Sequence, residues 1–187
     1  ATRMNPNLTY AKYTPGDTPP YANGVIATHR WVELVQAVGI LAGSETWPVG
    51  MADDLRHWFH GFVDWLRTSR QGCLERSANN NRGTWYDAQL VAYCRFVGDD
   101  TRARTILGRE TLHRLPQQVS ETGQLAEELT RTNSMGYTLM TLDGWARLAM
   151  MGDLLGIDVW YHCDGSIPYL RLALDYVAPY IGRQEAW

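Results

Sequence analysis

The chain has 187 residues, of which 45% are hydrophobic and 20% charged, with a formal net charge of −3. That length suits one domain with a real core, and the composition excludes a disordered chain. The acidic balance argues against a nucleic-acid partner, and no apolar run approaches the length of a membrane-spanning helix, so neither partner is expected.

The first residues are broken by Pro6, Pro15, Gly16, Pro19, Pro20 and Gly24. They are read as an extended arm over 1–24, followed by a single helical domain over 25–187. Trp31, Leu34, Val35, Val38 and Leu41 recur at helical spacing, with Gly43 as a stop. Leu55, Trp58, Phe59, Phe62, Trp65 and Leu66 form a second stripe, ending before Gly72. Tyr86, Leu90, Tyr93, Cys94 and Val97 form a third, closed by Gly98. Asp100 suits the N-cap of a fourth helix through Ile106 and Leu107. The pattern weakens over 108–130. A fifth helix is expected from Asn133 through Tyr137, Met140, Leu142, Trp145 and Leu148 to Gly152. A last one is expected near Pro168, a residue suited to a first helical turn. No segment alternates as a half-buried strand does. The expected fold class is all-α, with antiparallel helices.

The aromatic content is unusual: 8 Trp and 10 Tyr against 3 Phe. Tyr and Trp join a flat apolar face to a polar tip, which serves sugar binding as well as a packed core. Cys73, Cys94 and Cys163 allow one disulfide at most. No CxxC or His/Cys spacing signals zinc, and His57 and His60 lack a third ligand in register, so no metal or cofactor is expected. His29, beside Arg30 near a helix start, could face a cleft. No GxSxG, HExxH or P-loop signature is present.

Two clusters remain. The first, ERSANNNRGTWYD over 75–87, sets carboxamides and Arg82 ahead of a helix N-terminus, where donors suit an anion. A turn rich in Asn and Gly is the plainer account of its composition. The second, ELTRTNSMGY over 128–137, holds Arg131 and Tyr137 six residues apart. In one straight helix that offset is roughly 600° of rotation, so the two converge only if Arg131 precedes the helix or the chain bends. A glycoside hydrolase would instead need two carboxylates flanking the bond. Glu75, Asp87, Glu127 and Glu128 are the residues available for that.

Four stretches together resemble the alginate lyase family of polysaccharide lyases. They are Asn5-Pro6-Asn7-Leu8, WFHGFVDWLRTSRQG from Trp58, NNRGTWYDAQ from Asn80 to Gln89, and AEELTRTNSMGYTLMTLDGWARLA from Ala126. The family pattern reads Asn-Asn-His-Gly-Thr-Trp-Tyr-Asp-x-Gln at the third and Glu-Leu-x-Arg-Thr-x-Ser-x-x-Tyr-Ser at the fourth. Arg82 stands where the family has histidine. The resemblance implies a partial (α/α) toroid, and it places the chain as the C-terminal part of a longer, secreted or periplasmic lyase. A truncated helical face would favour self-association.

The resemblance further implies β-elimination on an acidic polysaccharide, alginate first and glucuronan second. Asn81 and Arg82 would contact the uronate carboxylate, with Arg131 beside Tyr137. Tyr137 would take the C5 proton and return a proton to the leaving O4. Glu75 would orient Asn81 or Arg82, and Asn80, Trp85 and Gln89 would complete substrate binding. A tyrosine alone serves mannuronate and glucuronate units, whose C5 hydrogen and O4 share one face of the ring. Guluronate needs a base on the other face, which an always-protonated arginine cannot supply. The alternative is a uronan-binding fragment without catalysis.

Overall fold

The computed structural model describes residues 4–9 and 24–187. The stretch over 10–23, most of the expected arm, lies outside them. Residues 4–9 are non-helical and lie along the second helix. Their carbonyls accept hydrogen bonds from its side chains: Met4 from Trp58, and Leu8 from Trp65 at 2.9 Å. Thr9 accepts from Gln71 at 2.9 Å.

A short 3-10 turn, Val25–Thr28, leads into α1 (Trp31–Leu41), followed by α2 (Met51–Thr68), α3 (Arg70–Arg76) and α4 (Asn81–Phe96). Then come α5 (Asp100–Thr105), α6 (Leu115–Gln118), α7 (Ala126–Leu129), α8 (Ser134–Leu155) and α9 (Tyr169–Val177). The fold is all-α. Its only described strands, β1 (Cys163–Asp164) and β2 (Ile167–Pro168), form a two-residue antiparallel hairpin before α9.

The organising element is α4. It is buried on nearly every side, from Asn81 through Cys94, and α1, α2, α5 and α8 pack around it. A helix buried all round carries little amphipathic signal, and its polar residues Asn81, Thr84, Asp87 and Gln89 sit inside with the aromatics because each has a hydrogen-bond partner there. By contrast α2 has one inward stripe. Phe59, Phe62, Val63, Trp65 and Leu66 are buried, and Phe62 stacks on Trp65 with ring centroids 5.5 Å apart.

Several expected boundaries and faces shift. On α1 the inward stripe is Val32, Val35 and Val38, and Leu34 and Leu41 face outward. Ile40, Leu41, Met150 and Leu154 leave an apolar face exposed along α1 and α8. The second helix breaks at Ser69, whose extended backbone starts a new helix and whose Oγ accepts from Gly72 N–H at 3.0 Å. Gly72 therefore lies inside α3. Asp99, not Asp100, caps α5, by accepting from Arg102 N–H at 2.9 Å.

From α5 the chain stays helical to Gln118 but changes pitch. A π-helical segment, Ile106–Thr111, and a 3-10 turn, Leu112–Arg114, precede α6. Irregular pitch blurs a 3.6-residue period. The long helix α8 runs past Gly152 to Leu155. Gly152 allows close approach instead of stopping the helix: a Cβ there would meet the Ile157 carbonyl at 2.5 Å. Pro168 precedes α9, in β2.

Candidate active site

Asparagine at a helix start supplies a side-chain acceptor to amides that have no partner in the helix. Asn80 does this for α4, its Oδ1 accepting from Arg82 N–H at 3.1 Å. Asn133 does the same for α8, accepting from Gly136 N–H at 3.2 Å. The two caps fix where Asn81, Arg82 and Tyr137 leave the backbone.

Asn81 is 2% exposed and held by Glu128 of α7, which is 1% exposed. The backbone N–H of Asn81 donates to Glu128 Oε1, and its Nδ2 lies 3.0 and 3.1 Å from the two carboxylate oxygens. Those oxygens subtend far less than the angle between the two N–H bonds of an amide. One N–H therefore serves Glu128, and the other points away from it. The Thr141 hydroxyl also reaches Glu128 Oε1, at 2.8 Å, and the Tyr137 carbonyl, at 3.0 Å. Glu128 thus ties Asn81 on α4 to α8 one turn beyond Tyr137. Its own carbonyl accepts from Arg131 N–H at 3.1 Å.

Arg131 precedes α8, so the rotation argument against an Arg131–Tyr137 meeting does not apply. Its guanidinium lies over the Tyr137 ring, 4.0 Å from the centroid. Both side chains are half-buried.

Arg82 donates from Nε and Nη2 to Glu75 Oε2. Glu75 is wholly buried, and its Oε1 accepts from the backbone N–H groups of Gly24 and Ile26 at 3.1 Å each. Glu75 therefore orients Arg82 rather than Asn81. It also ties the Val25–Thr28 turn to the site.

Trp85 and Gln89 lie on the inward stripe of α4, one and two turns beyond Asn81. Trp85 is 2% exposed and donates to the Met140 carbonyl at 2.9 Å. Gln89 is wholly buried; Thr28 and Tyr93 donate to its Oε1, and it donates to the Trp85 carbonyl at 3.0 Å. Both were expected to touch substrate. The structure puts them in the core, where they join α4 to α8 and to the N-terminal turn. Asn80 is likewise a helix cap, with its carbonyl taken by Gln118 at 3.0 Å.

The remaining expectations resolve simply. His29 donates from Nδ1 to the Ile26 carbonyl at 2.8 Å and meets Trp85 edge-on. His60 sits 3.6 Å from Asp64 on exposed α2, and no group of three His, Cys, Asp or Glu residues that could hold a metal exists among the described residues. All three cysteines are free, and burial pushes the Cys94 thiol up to about 12. The hydrolase arrangement is absent among the described residues. Glu75, Asp87 and Glu128 are each buried and engaged by Arg82, Arg114 and Asn81, which leaves Glu127 alone and exposed.

Glu128 is expected from the sequence only as a hydrolase carboxylate, and its place as the partner of Asn81 was not foreseen. It heads the Glu-Leu-x-Arg-Thr block, but its partner Asn81 is 47 positions away, and only the fold reveals the pairing.

A family model described as alginate lyase matches residues 1–187. The chain belongs to the alginate lyase family. A crystal structure of an alginate lyase from Bacteroides ovatus superposes with a TM-score of 0.92 at 30% identity, covering 100% of this chain and 50% of that one. The present chain thus spans about half the length of that alginate lyase. A search of curated proteins finds no match.

Proposed function

We propose that this chain carries the catalytic groups of a secreted or periplasmic polysaccharide lyase that cleaves a β-1,4-linked polyuronate by β-elimination. The observation that supports the reading is the Glu128 link between the N-termini of α4 and α8: Glu128 holds Asn81 and, through Thr141, the turn of α8 that begins at Tyr137, over which the Arg131 guanidinium lies.

The C5 proton of a uronate is weakly acidic. Its removal builds negative charge on the adjacent carboxylate, so donors aimed there act on the transition state. Asn81 offers its second N–H, and Arg82 its positive edge. The Tyr137 oxygen, in its phenolate form, takes the C5 proton as the C5–H bond breaks and becomes the phenol. The electron pair passes through C5 to form the C4–C5 double bond, O4 leaves, and the same hydroxyl returns the proton to O4. Arg131 places positive charge over the ring that carries the negative charge of the base before it takes the proton. Mannuronate or glucuronate units fit this one-sided chemistry better than guluronate, with alginate rich in mannuronate as the first substrate and glucuronan as the second.

One observation favours a second reading. Arg82 is already paired with Glu75, which lowers the net charge presented to a substrate. A binding fragment without catalysis would tolerate that pairing.

The test is the ultraviolet absorbance of the unsaturated uronate on polymannuronate, polyguluronate and glucuronan. A rise on a mannuronate or glucuronate polymer is expected. Tyr137→Phe should lower it by about 10²-fold or more while leaving oligomer binding in place, since it removes only the proton-transfer group. Full activity in that variant would overturn the tyrosine assignment. Binding without any absorbance rise in the wild type would establish the second reading.

A further inference from the structure

The α3–α4 turn carries Asn80, Asn81 and Arg82, and its carbonyls are held by one distant segment. Arg114 Nη1 donates to the Ala78 carbonyl at 2.7 Å and Nη2 to the Arg76 carbonyl at 2.9 Å. One turn on, Gln118 donates to the Asn80 carbonyl at 3.0 Å. Alternate carbonyls over 76–80 are thus captured by two side chains four residues apart. In the reverse sense, the Gln117 carbonyl accepts from Asn79 Nδ2 at 3.0 Å.

The guanidinium is itself fixed. Its Nε donates to Asp87 Oδ2 at 2.9 Å, and the pair is nearly buried, the side chains 11% and 4% exposed. Asp87 lies on α4, so Arg114 bridges the helix that bears Asn81 and the turn that delivers it. Burial raises the Asp87 carboxyl above the ordinary carboxylate range, and the Arg114 charge acts against that rise.

Gly83 records how close the clamp lies. A Cβ there would stand 2.0 Å from the Ala78 carbonyl oxygen and 2.4 Å from Arg114 Nη1. The glycine after Arg82 leaves room for the guanidinium. Arg114 closes the 3-10 turn and Gln118 ends α6, so the two lie one α-helical turn apart on the same side.

We infer that Arg114, seated on Asp87, is a positioning residue that sets the turn from which Asn81 and Arg82 meet the substrate carboxylate. This rests on the lyase reading above. Groups that act on the transition state lose effect with small displacements. Loosening the turn therefore lowers kcat more than it raises KM.

Arg114→Lys keeps the charge beside Asp87 but cannot fork to two carbonyls. Amide hydrogen exchange and polyuronate kinetics on this variant form the test. Exchange at Asn81, Arg82 and Gly83 should speed up by about tenfold or more, with α8 amides such as Leu148 unchanged. The kcat should fall about tenfold, with KM within about twofold. Should Arg114→Lys fail to fold, Asp87→Asn keeps an acceptor for Arg114 without its charge, and should show the same pattern more weakly. Unchanged exchange over 81–83 in a folded variant overturns the inference. So does faster exchange with unchanged kcat. A wild type without lyase activity overturns the functional reading instead, and the exchange measurement still decides whether Arg114 holds the turn.

Discussion

The two halves of the site are built on opposite terms. On α4 the donors Asn81 and Arg82 are each held by a buried carboxylate, Glu128 and Glu75, and each carboxylate takes further donors from elsewhere in the fold. On the α8 side, Tyr137 and Arg131 are half-buried, and the one contact joining them is the cation over the ring. The donor half is stitched into the core, while the base half sits at its edge. Groups that only stabilise charge gain from being fixed in advance. A group that must accept a proton and give it back gains from access to both atoms. The difference sorts mutations: in the donor half, activity and stability should fall together, and in the base half activity should fall alone.

The largest effect expected is at Glu128. Glu128→Ala leaves two donors of Asn81 and the Thr141 hydroxyl buried without their acceptor. With a charge-assisted bond worth roughly 1.5–3 kcal/mol, the total is on the order of 3–5 kcal/mol. Denaturant unfolding should show that loss, together with loss of lyase activity. Glu128→Gln keeps one acceptor oxygen but turns a donor toward Asn81 Nδ2, and should cost about 1–2 kcal/mol. Stability within about 0.5 kcal/mol of wild type for the alanine variant would break the contrast between the halves.

Glu75→Gln comes next. The amide oxygen can still accept from Gly24 and Ile26, but the ion pair with Arg82 is lost. A cost of about 1–3 kcal/mol is expected, in the range for hydrogen bonds to charged groups. Released from its seat, Arg82 should give a kcat lowered about tenfold with KM unchanged or lower, since its charge is freed while its aim is lost. A kcat that rises would show that the ion pair restrains catalysis.

How much of this was visible in the sequence depends on the range of the interaction. The helix caps at Asn80 and Asn133, and the separation of Arg131 from α8, are local and could be read from spacing. The helices α1, α4 and α8 were legible, although the inward face of α1 was misread, because apolar residues lie on both sides of it. The break at Ser69 falls in a polar run beyond the end of the apolar stripe, where periodicity gives no signal, and the segment over 106–118 was hidden by its changing pitch. The carboxylate anchors were the least legible. The resemblance offers Glu75 as support for Asn81 or Arg82, and Glu128 enters only as a hydrolase carboxylate; the fold is needed to pair Glu75 with Arg82 and Glu128 with Asn81. Trp85 and Gln89 erred the other way: their place in a site motif suggested contact with substrate, yet α4 is so enclosed that its motif residues also serve as its core.

Arg131 gives the smallest stability effect and the sharpest test of the contrast. A half-exposed cation over an aromatic ring contributes roughly 0.5–1 kcal/mol, so Arg131→Met should unfold within about 1 kcal/mol of wild type. Its kcat should nonetheless fall by about 10²-fold, because the cation beside the phenolate base is removed and general-base catalysis is worth about 10²-fold or more. Arg131→Lys retains a cation but not the planar face that lies on the ring, and should recover part of that loss at unchanged stability. If instead Arg131→Met proves as destabilising as Glu128→Ala, the guanidinium holds up the start of α8, and the base half is as firmly built as the donor half. If stability and kcat are both untouched, the charge over Tyr137 plays no part in removing the proton, and the base must draw its help from Asn81 and Arg82 alone.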